Sequence, residues 1–226
     1  MKISFANVIA EICENIPGGD AEAVCKAIGS DTRVGNKYFR GGLAYGGPCF
    51  CRDNRAFNVA AKRAGKKAPM AIATDEVNTH QKGSRLTKFV GDIIEEKKCK
   101  KISILGLAYK EDTSLVEEAP SISLIWELCD MGVKVSAYDP MAMEEAKRSL
   151  MSGSKVRFCK TVEACLKGSS VCVILTPWKE FIKLDRHDFL ENMKKNPTVI
   201  DCWGIYKSDK MRGIDLIRMG KSRIHA

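Results

Sequence analysis

The chain has 226 residues, of which 45% are hydrophobic, and a formal net charge of +9, so that it can bury the core of one large domain or two small ones. No stretch approaches the roughly 18 to 20 apolar residues of a membrane span. The chain has neither a basic run of five or more residues nor aromatic residues interleaved with lysine and arginine, the patterns that would indicate a nucleic-acid surface. We therefore expect a cytoplasmic protein, with no membrane or nucleic-acid partner, whose positive charge meets a phosphate-bearing metabolite or simply forms a solvated basic surface.

The first ninety-odd residues carry helical patterns separated by turns. Apolar residues at helical spacing predict an amphipathic helix over 2–16, ended by Pro17-Gly18-Gly19. Asp20 is predicted to cap a second helix that runs through Ile28. The glycine-rich stretch 29–52 is predicted to be loop. Two further helices are predicted at 53–64 and 69–96.

From residue 97 onward, short apolar runs alternate with helical stretches. The apolar runs cover 102–107, 133–138, 156–159, 171–175 and 199–200. The helical stretches cover 121–131, 142–150 and 161–167, and another lies near Phe189. Such alternation predicts a parallel sheet with helices on its faces. We therefore expect an α/β chain with an all-helical domain over 1–96 and a Rossmann-like domain over 97–226.

Ten cysteines are scattered along the chain without any Cys-x-x-Cys pair or repeated spacing. Neither a zinc site nor a disulfide framework is therefore predicted. About eight of them lie among apolar neighbours and are expected to behave as small core residues.

The segment between Asp31 and Asn54 is the most informative about chemistry. Its glycines let the backbone approach a ligand closely, and its cations can meet phosphate. Cys49 lies just before a predicted helix and close to Arg52, an environment that favours a nucleophilic thiolate. Asp53, four residues on, could orient a water molecule or accept a proton. From residue types alone, an inert loop thiol explains Cys49 equally well.

Three motifs in the chain resemble those of the UDP-glucose/GDP-mannose dehydrogenase family. The stretch Ala44-Tyr45-Gly46-Gly47-Pro48-Cys49-Phe50-Cys51-Arg52-Asp53 resembles that family's catalytic loop, Gly-Tyr-Gly-Gly-x-Cys-Phe-x-(Lys/Arg)-Asp. Upstream, Asp31-Thr32-Arg33-Val34-Gly35 is similar to its Asp-x-Arg-(Ile/Val)-Gly motif. After the first predicted strand, Gly106-Leu107-Ala108-Tyr109-Lys110 resembles its Gly-x-x-(Phe/Tyr)-Lys motif. The resemblance implies a central helical domain, through which the family dimerises, followed by a UDP-sugar-binding Rossmann-like domain.

The resemblance also implies a mechanism. In that family a cysteine attacks the C6 aldehyde left by a first hydride transfer, and the thiohemiacetal loses a second hydride to NAD, giving a thioester that water hydrolyses. Cys49 matches this cysteine, and Asp53 matches the aspartate that handles protons and water. Covalent capture would hold the aldehyde between the two oxidations, which convert UDP-glucose and two NAD to UDP-glucuronate.

Five further positions match residues that hold the nucleotide sugar in that family: Arg33, Tyr38, Tyr45, Gly46 and Lys110. Arginine and lysine are natural partners for a diphosphate, while tyrosine and backbone groups suit sugar hydroxyls. Plainer explanations stand beside these roles, namely half-buried packing for the two tyrosines and a solvated surface for Lys110. No metal site is predicted.

Two departures from the family pattern bear on the cofactor. The chain reads Glu117-Glu118-Ala119-Pro120, whereas the family often has an arginine before the acidic residue, at a position associated with the cofactor phosphates. A carboxylate there would repel a pyrophosphate. No Gly-x-Gly-x-x-Gly follows a strand and opens a helix, so we expect the family's N-terminal NAD-binding domain and its catalytic lysine to be absent. NAD is the implied cofactor, and the chain alone is expected to be inactive.

Three functions remain open at this point. The first is a UDP-glucose 6-dehydrogenase, which the stretch Tyr45–Phe50 favours by resemblance. The second is a catalytically silent module that binds a nucleotide sugar, or that pairs with a full-length homologue or a second copy through the helix predicted over 69–96. The third is a dehydrogenase for GDP-mannose or a UDP-N-acetylhexosamine.

Overall fold

Helices fill the first part of the chain in the computed structural model, which describes residues 1–150 and 155–224. This helical part (residues 2–96) contains α1 Lys2–Glu14, α2 Ala21–Gly29, α3 Phe50–Arg63, α4 Pro69–His80 and α5 Leu86–Glu96. The Asp20 side chain caps α2 as predicted, accepting hydrogen bonds from the amides of Glu22 and Ala23. Helix α3 begins at Phe50 rather than at Asp53, so Cys49 itself is its N-cap residue.

The helix predicted over 69–96 is continuous but contains an irregular turn. Helix α4 passes into α5 through a π-helical turn, Gln81–Arg85. Such turns rotate the side chains relative to a regular helix and often occur near functional sites. Here the side chains of Gln81, Lys82 and Arg85 bind Glu11, Glu118 and Glu14, respectively. The turn therefore ties the long helix to two other regions of the chain.

The second part of the chain (residues 101–218, the sheet part) forms a six-stranded parallel sheet in the order β3-β2-β1-β4-β5-β6. This is the strand order of dinucleotide-binding Rossmann folds, and it confirms the predicted α/β class. The strands are β1 Lys101–Leu105, β2 Lys134–Tyr138, β3 Val156–Phe158, β4 Val171–Ile174, β5 Thr198–Asp201 and β6 Asp215–Arg218. The helices are α6 Pro120–Asp130, α7 Met143–Leu150, α8 Val162–Leu166, α9 Lys179–Ile182 and α10 Arg186–Asn192, followed by a 3-10 turn, Ser208–Lys210.

Five of these strands match the predicted apolar runs, whereas β6 was not predicted. Strand β4 is buried along its whole length, as expected for a central strand covered on both faces. In β6, only Ile217 is buried, and charged residues stand at both ends. A short edge strand of this composition carries no apolar run by which the sequence could reveal it.

The cysteines behave largely as predicted from their neighbours. Eight of the ten are buried free thiols: Cys13, Cys25, Cys51, Cys99, Cys159, Cys165, Cys172 and Cys202. Cys129 is partly buried, and among all ten, which lie within the described ranges, only Cys49 is exposed. In residues 1–150 and 155–224, no helix has both the length and the hydrophobicity to cross a lipid bilayer.

The chain after β6 returns to the helical part. The amide of Gly220 donates to the Glu14 carboxylate at 2.7 Å, and the carbonyl of Gly220 accepts from the amide of Ala21 at 2.9 Å. The same Glu14 accepts from the buried Arg85 guanidinium at 2.8 Å, while Arg85 also donates to the carbonyl of Gly42 at 3.3 Å. Burial raises the pKa of Glu14, an effect that Arg85 opposes. The helical and sheet parts are thus joined next to the loop that leads to Cys49.

Candidate functional site

Two buried asparagines hold the backbone of the loop Gly41–Cys49, which we call the cysteine loop. Asn7 of α1 accepts from the amide of Gly42 at 2.9 Å and donates to the carbonyl of Leu43 at 3.0 Å. Asn78 of α4 accepts from the amide of Tyr45 and donates to its carbonyl, both at 3.0 Å. Each side-chain amide therefore satisfies one backbone donor and one backbone acceptor, much as a neighbouring strand would.

The cysteine loop packs against residues 106–119, the lysine loop, which connects β1 to α6. The amide of Gly47 donates to the carbonyl of Glu117 at 2.8 Å. Gly47 has a φ of +84°, and a Cβ atom there would lie 2.6 Å from the Tyr109 ring. A Cβ on Gly46 would lie 2.7 Å from the carbonyl of Glu118. These glycines therefore serve the close approach of the two loops, a packing role separate from any contact with a ligand.

A cavity of about 480 Å³ lies between the two loops. Its lining includes Cys49, Tyr38, Tyr45, Gly46 and Lys110, which are five of the seven site residues predicted from the sequence. The volume lies within the range of small-molecule sites, about 300 to 1,000 Å³. The geometry thus brings a thiol from the helical part and a lysine from the sheet part into one cavity.

Cys49 stands at the N-terminus of α3, where its thiol is exposed. The backbone amides of a first helical turn point toward this end and stabilise negative charge there. The hydrogen bond from the amide of Asp53 to the carbonyl of Cys49, 2.8 Å long, closes this first turn. Position and exposure are those of a reactive thiol, in contrast to the eight buried ones.

Asp53 lies one turn further along α3 and does not line the cavity of Cys49. Its carboxylate pairs with Arg52 at 3.0 Å, and both side chains are mostly exposed. Asp53 instead lines a neighbouring cavity of about 490 Å³, together with Lys2 and Asn54. Tyr38, Tyr45 and Phe50 line both cavities. These rings therefore separate the thiol side from the aspartate side.

The aromatic rings between the cavities contact each other. Phe50 lies 6.1 Å from Tyr38 and 5.8 Å from Tyr45, measured between ring centroids. Tyr38 is exposed and adopts a φ of +62°, whereas Tyr45 is partly buried, which raises the pKa of its hydroxyl to about 12. Tyr45 can therefore donate a hydrogen bond across the physiological pH range.

Arg33 is the predicted substrate residue that the structure places apart from the others. Its guanidinium binds Asp31 at 2.6 Å, its side chain is 88% exposed, and it lines neither of the two cavities next to Cys49. The Asp31 contact raises the pKa of Arg33 further. Within the described residues, this arginine therefore contacts its own loop and not the space beside Cys49.

The lysine loop is held rigidly at its start by Asp139, which follows β2. The buried Asp139 carboxylate accepts from the amides of Leu107 and Ala108, at 2.7 and 3.0 Å, and from the Trp178 indole at 3.0 Å. The carbonyls of Leu107 and Ala108 accept from the hydroxyls of Ser121 and Thr176, both at 2.6 Å. Lys110 thus projects into the cavity from a backbone whose hydrogen bonds are satisfied internally.

The same geometry tests whether this turn could hold NAD. In Rossmann folds, the free amides of the turn after β1 and the N-terminus of the next helix bind the pyrophosphate. Here Asp139 occupies two of those amides, and α6 begins only at Pro120, beyond the whole lysine loop. The residues present after β1 therefore do not fit a dinucleotide in that manner.

Sequence reasoning missed four residues that shape the site. Arg40 and Trp203 line the cavity, and the Trp203 indole donates to the carbonyl of Leu175 at 2.9 Å, which fixes its ring. Arg40 was detectable as a cation within the predicted loop. Asn7 and Asn78 gave no signal, because a polar residue in a helical pattern does not reveal which distant backbone it binds.

Solved structures share this fold. The chain superposes on the UDP-glucose dehydrogenase of Pyrobaculum islandicum with a TM-score of 0.76 and 29% identity, covering 96% of this chain and 46% of that one. A Methanosarcina mazei NDP-N-acetyl-D-galactosaminuronic acid dehydrogenase gives a TM-score of 0.82 at 18% identity, over 97% and 48% of the two chains, and shows the fold alone. The fold of this chain is therefore that of about half of a nucleotide-sugar dehydrogenase.

Sequence comparisons identify the family. Residues 1–80 match the central domain of the UDP-glucose/GDP-mannose dehydrogenase family, and residues 103–208 match its UDP binding domain. The chain is 34% identical to UDP-glucose 6-dehydrogenase TuaD of Bacillus subtilis over 96% of its own length, and 33% identical to the Rhizobium meliloti UDP-glucose 6-dehydrogenase over 93%. The chain belongs to this family, as predicted, and spans about half the length of these relatives, 46% and 47%.

Proposed function

We propose that this chain forms the nucleotide-sugar site and carries the nucleophilic cysteine of a cytoplasmic UDP-glucose 6-dehydrogenase. The observation that carries the proposal is the shared cavity of about 480 Å³, which is lined by the exposed thiol of Cys49 and by Lys110. A thiol and a phosphate-binding cation from two different loops suit a substrate whose reacting carbon and diphosphate lie at different ends.

The lining of the cavity supports such a substrate. Lys110 and Arg40 can bind the diphosphate, and the aromatic surfaces of Tyr45, Phe50 and Trp203 suit the faces of a sugar or a base. The Lys110 ammonium lies 5.8 Å from the centroid of the Tyr109 ring, which helps to keep it over the cavity. Tyr38 and the backbone of Gly46 are assigned to the sugar hydroxyls. Arg33, which is exposed, would need to reach the nucleotide from outside this cavity.

The chemistry assigned to this chain is the capture and release of the C6 carbon. The Cys49 thiolate attacks the aldehyde carbon, a C–S bond forms, and the carbonyl oxygen takes up a proton to give a thiohemiacetal. After oxidation to the thioester, water adds to the carbonyl carbon, the C–S bond breaks, and the carboxylate and the thiolate are released. Asp53 is assigned to accept the proton of that water. Because its carboxylate lines the neighbouring cavity, the proton would have to pass the aromatic rings between the two cavities, for instance along water molecules. The family implies NAD as the hydride acceptor, and none of the described residues is assigned to hold it.

A second candidate function is a nucleotide-sugar-binding module without turnover of its own. It is favoured by the turn after β1, whose amides are occupied by Asp139. In this case we propose that the chain acts by pairing, with a second copy or with a longer homologue, along α4 and α5. Measuring the mass of the chain in solution by analytical ultracentrifugation tests the pairing, which a monomer at all concentrations would contradict.

Calorimetric titration with nucleotide sugars tests the proposed site. We expect UDP-glucose to bind more tightly than GDP-mannose or UDP-N-acetylglucosamine, and Lys110→Ala to weaken UDP-glucose about 10- to 100-fold, the value of a hydrogen bond to a charged group. Lys134→Ala is the matched control, since this exposed lysine begins β2 and therefore lies at the amino ends of the parallel strands, whereas Lys110 follows the carboxyl end of β1. If no nucleotide sugar binds, or if both variants bind equally well, the proposed site is wrong. Binding of UDP-glucose without NADH formation, even when an NAD-binding domain is supplied in trans, would select the second candidate.

A further inference from the structure

The contact between the cysteine loop and the lysine loop has an ionic component centred on Glu118. This residue lies at the end of the lysine loop, and its side chain is 24% exposed. Its carboxylate accepts from the Arg55 guanidinium at 3.0 Å and from the Lys82 ammonium. Arg55 belongs to α3, the helix whose N-cap residue is Cys49, and Lys82 belongs to the π-helical turn. One carboxylate of the sheet part thus binds two different elements of the helical part.

The ion pairs of Glu118 belong to a larger network. Arg55 also binds Asp75 of α4 at 3.1 Å, so that two cations and two carboxylates alternate between α3, α4, the π turn and the lysine loop. The Lys82 side chain is only 16% exposed. Partly buried, networked ion pairs of this kind hold geometry better than isolated surface pairs. The Lys82 contact keeps the pKa of Glu118 below its ordinary value, with Arg55 adding to the effect.

The backbone of Glu118 is strained. Its φ is +55°, in the left-handed region that a residue other than glycine, asparagine or aspartate seldom adopts. Such strain persists only where the surroundings fix the conformation. The neighbouring carbonyl of Glu117 binds the amide of Gly47, and the carbonyl of Glu118 lies directly against Gly46. The strained residue therefore sets the distance between the two loops.

We propose that Glu118 is a positioning residue, whose ion pairs with Arg55 and Lys82 hold the cysteine loop and the lysine loop in register, so that one nucleotide sugar contacts Lys110 and Cys49 together. The inference rests on the proposed function. Without the ion pairs, Lys110 and Cys49 would both still be present but would no longer be aligned with each other. The nucleotide sugar would then bind more weakly, and the bound ligand would no longer cover the Cys49 thiol.

Glu118→Gln tests this inference, because glutamine keeps the shape and removes the charge. Glu127→Gln is the matched control, since it removes the same charge from an exposed glutamate of α6 that has no ion pair within the described ranges. Two measurements are made on each folded variant: UDP-glucose affinity by calorimetry, and the rate of Cys49 alkylation by iodoacetamide with and without UDP-glucose. We expect Glu118→Gln to bind about tenfold more weakly and to lose most of the protection of Cys49 at ligand saturation, while Glu127→Gln matches the wild type.

Equal affinity and equal protection in Glu118→Gln and the wild type would overturn the inference. If Glu118→Gln does not fold, Lys82→Gln removes one of the two ion pairs and is held to the same two measurements. If the wild type binds no nucleotide sugar, the proposed function fails, but the alkylation rate without ligand still decides the role of Glu118. A severalfold change in that rate in Glu118→Gln supports the positioning of the cysteine loop, and an unchanged rate rejects it.

Discussion

Replacing Asn78 by alanine should loosen the cysteine loop and measurably destabilise the protein. Asn78 is 2% exposed, and its amide makes two 3.0 Å hydrogen bonds with the backbone of Tyr45. The substitution leaves one amide and one carbonyl of the loop without these partners. An unpaired buried polar group costs about 1 to 3 kcal/mol, and partial access of water lowers the sum, so we expect a loss of about 2 to 4 kcal/mol in the free energy of unfolding.

Urea denaturation measures this loss, and hydrogen exchange locates it. The amide of Tyr45 should lose protection in Asn78→Ala, while the amides of β4 keep theirs. Asn192→Ala is a suitable control, because among the described residues its side chain donates one hydrogen bond, to the carbonyl of Asp188 within α10. That control should lose about 0.5 to 1.5 kcal/mol, the ordinary net value of one such bond.

The double variant Asn7→Ala/Asn78→Ala provides a further test of the reasoning. Asn7 holds Gly42 and Leu43, next to the segment that Asn78 holds, so the two substitutions act on one short loop. Once one asparagine has released the loop, the second has less order to remove, and the two losses should sum to more than the loss in the double variant. A loss below 1 kcal/mol for Asn78→Ala, with unchanged exchange at Tyr45, would refute the idea that these asparagines shape the site.

Three further predictions follow from contacts around the same site. Cys49→Ser should remove the site that reacts fast with iodoacetamide, because Cys49 is the exposed cysteine. In a complex that supplies an NAD-binding domain, the same variant should bind UDP-glucose but form no acid. Normal yields of acid would disprove the assignment of Cys49 as the nucleophile. Gly47→Ala should destabilise the protein more than Gly65→Ala. Both glycines have positive φ, but only at Gly47 would the added Cβ lie against the Tyr109 ring, at 2.6 Å. Equal melting temperatures of the two variants would show that Tyr109 moves aside freely. The pKa of Glu118 is lower in the folded than in the unfolded protein, so the stabilisation from its ion pairs is present above the ordinary pKa of 4.5 and is lost as the pH falls through the folded-state value. The difference in unfolding free energy between the wild type and Glu118→Gln should therefore shrink below about pH 4.5. A difference that stays constant with pH would contradict the ion pairs.

The sequence allowed the sheet and the cysteine loop to be predicted for a physical reason. Buried parallel strands such as Val171–Ile174 appear as unbroken apolar runs, and the cap at Asp20 depends only on its immediate neighbours. Both signals are local. Strand β6 and the π-helical turn were missed, since the first is a partly exposed edge and the second results from contacts with Glu11, Glu14 and Glu118.

The candidate site shows the same division. Cys49 and Lys110 were predicted to be site residues from their motifs, and the structure brings both into one cavity, although their roles stay predictions. The separation of Asp53 by three aromatic rings, and the retention of Arg33 by Asp31, depend on side-chain packing that no local pattern encodes. The same applies to Asp139, whose carboxylate spans from the end of β2 to the turn after β1.

The return of the chain from β6 to α1 has a consequence for how the protein reaches its folded state. Glu14 and Gly220 lie 206 positions apart, so their hydrogen bond can form only after most of the chain has been synthesised and after a very long segment has closed. Glu14 also binds Arg85, which in turn binds the carbonyl of Gly42 in the cysteine loop. On the ribosome, the helical part would therefore emerge before the sheet part yet complete the surroundings of Cys49 only after it. Synthesis of the segment around Gly220, rather than of the cysteine itself, would then set the time at which Cys49 acquires its final environment.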